Sequence, residues 1–232
     1  MVVMNRENFF THLVVLAPPT TAQPLIRYFM QLNARLSCSA AGDAAELDRL
    51  SQACGGGARL VSFGTDLLVP PAILARFAFG AYNFHPGPPA YPGWAPASFA
   101  LYDGATTFGA TLHRMVEQVD AGQIVGTELF VVGVAVSADL LSTQSTAAMA
   151  RLLKRLGWCL ANQSDPLAPL PIVWGENRGS KAKATRLRAL DGAPGEEERA
   201  RRRHAFSIAE FVYPDSMACQ PGGHGVPAST RR

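Results

Sequence analysis

Asn83 and His85 lie two residues apart at the end of an extended apolar run, GAYNF (residues 80–84), which leads straight into a proline-rich loop, HPGPPAYPGWAP (residues 85–96). Side chains of a strand alternate between its faces, so residues 83 and 85 point to the same side. An amide N–H and an imidazole N–H on one face can both reach a single oxygen on which negative charge develops. Further along, Asp120-Ala121-Gly122 offers a carboxylate on a turn that a glycine lets bend. Taken alone, each feature has a plainer reading: Asn-x-His before prolines is also an Asx-type turn, and Asp-Ala-Gly is also a loop between strands. His113, isolated on a strand, is open between a pocket residue and a satisfied core histidine. Cys38, Cys54, Cys159 and Cys219 are scattered with no C-x-x-C spacing, so neither a disulfide framework nor a metal site is expected.

Hydrophobic periodicity predicts the elements that must hold these residues. Residues 12–17 (HLVVLA) read as a buried strand, and residues 20–32 as a helix with Pro24 in its first turn, where a missing N–H costs least. A short strand over 35–40, a helix over 43–54 closed by three glycines, and a buried strand over 59–63 follow. Residues 70–77 read as a short helix, 80–84 as a strand and 97–102 as a helix. Residues 108–115 and 123–132 read as facing strands, and 137–160 as one amphipathic helix with Leu141, Leu152, Leu156 and Leu160 in its apolar stripe. Beyond residue 174 the pattern dissolves. Alternating strands and helices predict an α/β chain built on a mostly parallel sheet flanked by helices, whose ligand crevice lies at the carboxyl ends of the strands.

Asn83-Phe84-His85-Pro86 is followed by Tyr91-Pro92-Gly93, by Phe99-Ala100-Leu101-Tyr102-Asp103-Gly104, by Phe108-Gly109-Ala110-Thr111-Leu112-His113 and by Asp120-Ala121-Gly122-Gln123-Ile124. These separated blocks, in this order, resemble the 10-formyltetrahydrofolate-dependent formyltransferases. The resemblance implies a Rossmann-like formyltransferase fold, 10-formyltetrahydrofolate as formyl donor with no metal, and Asn83, His85 and Asp120 as the catalytic set. When an amine attacks the formyl carbon, Asn83 and His85 would donate to the formyl oxygen. Asp120 would orient His85 and help move the amine's proton to the leaving nitrogen, with the set stabilising the tetrahedral intermediate. The resemblance further places the folate in a pocket of Thr65, Asp66 and Leu68 and of Met115, Val116, Glu117, Gln118 and Val119, where loop backbone and apolar walls suit a flat heteroaromatic. Gly93 follows His85 at the eighth position, one residue earlier than in the familiar branches.

Departures from those branches narrow the acceptor. Ala17-Pro18-Pro19-Thr20-Thr21 stands where the glycinamide ribonucleotide enzymes cradle a phosphate with glycines, and two prolines remove two donors. The residues after Val173 are too few and too weakly patterned for the basic barrel of the methionyl-tRNA enzymes. Tyr91, Trp94 and Phe99 instead suggest an apolar or sugar-stacking acceptor pocket. The expected function is formyl transfer to the amine or hydroxylamine of a small metabolite such as an amino sugar or amino acid derivative. The alternatives are a hydrolase of the same donor and a non-catalytic folate-binding protein.

The chain has 232 residues and a net charge of +3, but residues 178–204 alone carry nine Lys/Arg against four Asp/Glu, which leaves the body at −2. With no aromatic interleaved among them, these charges read as a solvated extension and not as a nucleic-acid surface. The division expected is a catalytic domain over 1–175 and a basic, partly disordered extension over 176–232. No nucleic-acid or membrane partner is expected, a homodimer is left open, and the first residues lack a secretion signal, so the location expected is cytoplasmic.

Overall fold

The computed structural model describes residues 10–206 apart from 55, 191, 193 and 194. Its sheet has six strands: β1 (His12–Leu16), β2 (Ser37–Ala41), β3 (Ala58–Phe63), β4 (Ala81–His85), β5 (Thr107–Arg114) and β6 (Ile124–Val131), in the order β2-β1-β3-β4-β5-β6. β1 pairs in parallel with β2 and β3, and β3 with β4, whereas β5 runs antiparallel to both β4 and β6. The mostly parallel sheet flanked by helices that the alternating pattern predicts is present, with two antiparallel pairings at one side. β5 runs against β4 although a helix over residues 96–102 separates them, and β6 follows β5 with no helix between, so these two long facing strands pair antiparallel.

Alternate residues of the strands feed two cores. Leu13, Val15, Val61, Phe63, Tyr82 and Phe84 face α1 (Pro19–Leu32) and α5 (Ala138–Asn162), while Val14, Leu16, Leu60 and Ala81 face α2 (Ala44–Ala53) and α3 (Pro71–Leu74). β3 is buried along its whole length, as a central parallel strand covered on both faces must be. The side-chain oxygens of Asp43 and Ser137 accept from the third N–H beyond them and so start α2 and α5. Because α1 begins at Pro19, Pro24 lies inside the helix and not in its first turn. The carbonyl of Thr20 that it leaves without a donor belongs to an exposed residue, where water can satisfy it.

Arg59, at the start of β3, is fully buried. Its guanidinium donates to the carbonyls of Phe79 (2.8 Å) and Leu160 (2.6 Å), with longer contacts to those of Cys159, Ser164 and Asp165. It thus closes the C-terminus of α5, where the helix dipole favours a cation, and it stacks over the rings of Phe10 and Tyr82.

Residues 176–206, where the sequence shows no apolar period, carry α6 (Lys181–Arg188) and α7 (Glu196–Ala205), which pack on α4 (Pro96–Tyr102). Their buried face is only Ala184, Ala205 and Phe206, too sparse to register as a stripe. The basic run of α7 is internally paired, Glu198 with Arg201 and Arg202 and Glu196 with Arg203. The rest of the proposed extension, residues 207–232 with Cys219, lies outside the described residues.

Candidate active site

Register brings the polar side chains into one row. Asn83 on β4 stands beside Ser62 on β3 and directly opposite His113 on β5, and His85 stands opposite Thr111. All five lie on the face of Ala81, at the carboxyl end of β3 and β4 beyond α3, so the shared face predicted for residues 83 and 85 is present. A bulge between Leu112 and His113 breaks the β5–β6 register at that point, a local irregularity of the kind that re-aims a side chain.

Asp120 reaches this row from the loop between β5 and β6. Its backbone is left-handed (φ 45°), a conformation that Asp tolerates better than most residues but that still stores strain. Oδ2 accepts from the Gly93 N–H at 2.8 Å and lies 3.2 Å from His85 Nδ1, while Oδ1 lies 3.1 Å from His113 Nε2. Asn83 Nδ2 is 3.2 Å from the same His113 nitrogen, and His113 Nδ1 is 2.9 Å from the Arg114 carbonyl. One carboxylate therefore bridges two imidazoles, and exposures of 3 % for His85, 2 % for His113 and 5 % for Asp120 seal the cluster from bulk water. His113 belongs to this polar cluster.

Burial opposes the charge on Asp120, but His85, His113 and the Gly93 N–H outweigh it and hold the carboxyl well below its usual range. Burial also lowers His85 from its ordinary value, with His113 and Arg178 pushing the same way, against the pull of Asp120 and of the Tyr91 carbonyl. His85 Nε2 lies 2.9 Å from that carbonyl, so both ring nitrogens face acceptors. A neutral imidazole has one donor, so one of the two contacts lacks a proton, and a proton delivered there completes both. Both shifts are downward, and both give the same sign of linkage: the folded state loses stability as pH falls below the unfolded value, near 6.5 for the histidine and near 3.8 for the carboxylate. A two-stage fall in melting temperature on acidification is expected. Asp120→Asn should abolish the lower stage, and an unchanged profile would count against the pairing.

Two glycines make the cluster possible. A Cβ on Gly87 would stand 2.7 Å from His85 Nε2 and from Pro96 Cβ. Gly87→Ala should therefore displace the imidazole and lower activity by about tenfold or more, with the fold intact by circular dichroism. Activity close to wild type would show that His85 has room to move. Gly122 corrects the sequence reading: its φ is not positive, and it is small because a Cβ would meet the Arg114 carbonyl at 1.9 Å. Close approach to β5 demands the glycine there, and the left-handed turn is made by Asp120 itself.

Beside the cluster lies a cleft of about 190 Å³. Thr65, Asp66 and Leu68, from the segment after β3, line one side, and residues 115–119 line another, with Asn83, His85 and Asp120 at the wall. Every residue expected in the folate pocket is thus brought to one cavity. Leu68 is 70 % exposed and Val116 and Val119 are both exposed, leaving an apolar rim open to a ligand.

Tyr91, Trp94 and Phe99 do not form the open acceptor pocket expected. Phe99 is buried against Ala184, Ala205 and Phe206, and Tyr91 and Trp94 pack into the same cluster, because α6 and α7 cover this side of the loop. The aromatic that reaches the cluster is Trp174, whose ring stands edge-on to His85 and His113. In the sequence Trp174 stands only where the periodic pattern ends. The glycines at 175 and 179, with Gly93, were the available sign that another segment approaches the proline loop closely.

A doubly wound α/β sheet with a buried His–Asp–His cluster and a half-buried Asn beside a cleft at its strand ends defines the class. Residues 35–151, about half of the chain, match the model of the formyl transferase family, and the chain belongs to that family of enzymes. Its fold is that of a sugar N-formyltransferase from Shewanella sp. (TM-score 0.69, 16 % identity, covering 87 % of this chain and 90 % of that one). It is also similar to a 4-N formyltransferase from Francisella tularensis (TM-score 0.65, 16 % identity, 84 % and 88 % covered). An N-formyltransferase from Helicobacter canadensis, solved with folinic acid and dTDP-3-aminofucose, aligns at TM-score 0.63 with 13 % identity over 86 % of this chain and 81 % of that one. Among the described residues, no helix is long and apolar enough to cross a membrane and no cluster is arranged to hold a metal ion.

Proposed function

We propose that this chain transfers the formyl group of 10-formyltetrahydrofolate to the amine of a small metabolite, an amino sugar above all. The observation that carries the reading is the bridged His85–Asp120–His113 cluster with Asn83 in the wall of the cleft formed by the 65–68 and 115–119 segments. The cleft fits the donor's head. Cavities that enclose a whole drug-sized ligand run to about 300–1,000 Å³, so one of about 190 Å³ takes a bicyclic ring and leaves the tail to lie across Leu68, Val116 and Val119.

The residues divide the work by their hydrogen bonds. A primary amide carries two N–H groups, and the contact with His113 leaves the second for the formyl oxygen as charge builds there. His85, expected from the sequence to be a second donor to that oxygen, has its nitrogens directed at Tyr91 and Asp120. Its imidazole is one proton short of those two acceptors, so the proton that the attacking amine loses as the new C–N bond forms passes by way of the Asp120 carboxylate at the cleft wall to His85, whose imidazolium Asp120 then stabilises. The proton then passes to the donor nitrogen as its bond to the formyl carbon breaks. The amino-sugar acceptor rests on likeness to the enzymes above, one of which holds a nucleotide-linked amino sugar. It rests also on the start of α1, where Pro18 and Pro19 remove N–H donors that a phosphate cradle would use.

The test is to incubate the full chain with 10-formyltetrahydrofolate and a panel of amines that includes free and nucleotide-linked amino sugars and initiator methionyl-tRNA. Tetrahydrofolate release and product mass are followed. Acceptor-dependent release with a formylated amino sugar is expected, and the tRNA should remain unmodified. Release independent of any amine would make the chain a hydrolase, and donor binding without turnover a folate-binding protein.

A further inference from the structure

Residues 174–179 cross the site as a strap that touches both loops carrying the cluster. On one side the Trp174 indole N–H donates to the Gly122 carbonyl at 2.8 Å, and the Arg178 guanidinium donates to the consecutive carbonyls of Val119 and Asp120, the latter at 3.1 Å. On the other side the N–H groups of Gly175 and Gly179 donate to Pro89 and Pro92, and the Trp94 N–H donates to the Gly179 carbonyl. The bond from Gly93 to the Asp120 carboxylate joins the same two loops.

We infer that this strap is a positioning element for the His85–Asp120 pair, and that Arg178 holds the left-handed backbone at Asp120 that aims its carboxylate at both imidazoles. The chemistry suits arginine specifically. Two adjacent carbonyls converge on one planar, multi-donor fork, which a lysine, a single compact charge on a flexible stem, does not reproduce. No carboxylate is paired with Arg178 among the described residues, so its hydrogen bonds are spent on the backbone of the loop it holds. Neither Arg178 nor Trp174 lines the cleft, so both act through the cluster.

Charge and positioning act on His85 in opposite directions, which makes them separable. Asp120 on its loop pulls the imidazole toward the protonated form, while His113 on β5 and Arg178 on the strap push it toward the neutral one, and the Tyr91 carbonyl sides with Asp120. Arg178→Lys keeps the positive charge and removes the fork, so only the grip on Asp120 is weakened.

The experiment uses the full-length protein with Arg178→Lys and Arg178→Gln, each studied below its own melting temperature. The His85 imidazole is titrated by ¹⁵N NMR without ligand, and kcat and KM for the formyl donor are measured in the amine assay. Expected are a downward move of the His85 midpoint in Arg178→Lys and a loss of about ten- to a hundredfold in kcat in both variants, with donor KM within about twofold. An unmoved midpoint with wild-type kcat overturns the inference. So does a loss confined to KM, which would make Arg178 a donor contact. The kinetic arm rests on the formyl-transfer reading, but the titration does not. If the wild type transfers no formyl group, a shifted midpoint still supports the strap and an unmoved one sinks it.

Discussion

Replacing Asn83 or His85 with alanine should lower turnover by at least about a hundredfold while leaving donor binding close to wild type. For Asn83 the scale is that of one hydrogen-bond donor aimed at a developing oxyanion, about 2.7–4 kcal/mol in a site closed to water. For His85 it is the loss of the proton acceptor, typically about 10²–10⁴-fold. Affinity should survive because most of the cleft wall, residues 65–69 and 115–119, is left untouched. The two variants should differ in one respect. His85→Ala also leaves the Asp120 carboxylate and the Tyr91 carbonyl short of a partner in a buried site, so it should be less stable than Asn83→Ala. Single-turnover kinetics with a fluorescence titration of the donor separate the effects, and wild-type turnover in either variant would remove that residue from the mechanism.

Arg59→Ala is the substitution expected to cost the fold most. It deletes a fully buried side chain and leaves the carbonyls of Phe79 and of the C-terminal end of α5 without their donor. Truncating a large buried side chain costs about 3–5 kcal/mol, and buried carbonyls left without their donor add to it. For a chain of this size each kcal/mol moves the melting temperature by about 2–4 °C, so a drop of the order of 10 °C is expected. Arg59→Lys should recover only part of it, since one ammonium cannot serve carbonyls from two directions and stack on Phe10 and Tyr82 together. The site lies at the opposite end of β3, so the protein that remains folded should show near wild-type kcat. A melting temperature within about 2 °C of wild type would show that the α5 terminus has another source of closure.

What the sequence determined by itself is local. The unbroken apolar runs in HLVVL and ARLVSF decide that β1 and β3 are covered on both faces, the leucines of α5 decide its buried side, and the spacing of Asn83 and His85 on a strand decides that they share a face. These are consequences of periods of two and of 3.6 residues, which short windows contain. The ordered blocks from Asn83 to Ile124 likewise carried the family and the residues brought to the cleft. Tertiary structure alone decided the rest, because the partners are set by how loops and elements meet and not by a spacing in the chain. It set Asn83 opposite His113, drew the His85 nitrogens to Tyr91 and Asp120, and reserved Gly122 for a backbone 1.9 Å from where a Cβ would stand. It also buried Arg59 under carbonyls about a hundred residues away and laid Trp174 and Arg178 over the cluster. Contacts of that kind have no period and no fixed spacing, since each is made by one side chain against backbone that only the folded chain brings near.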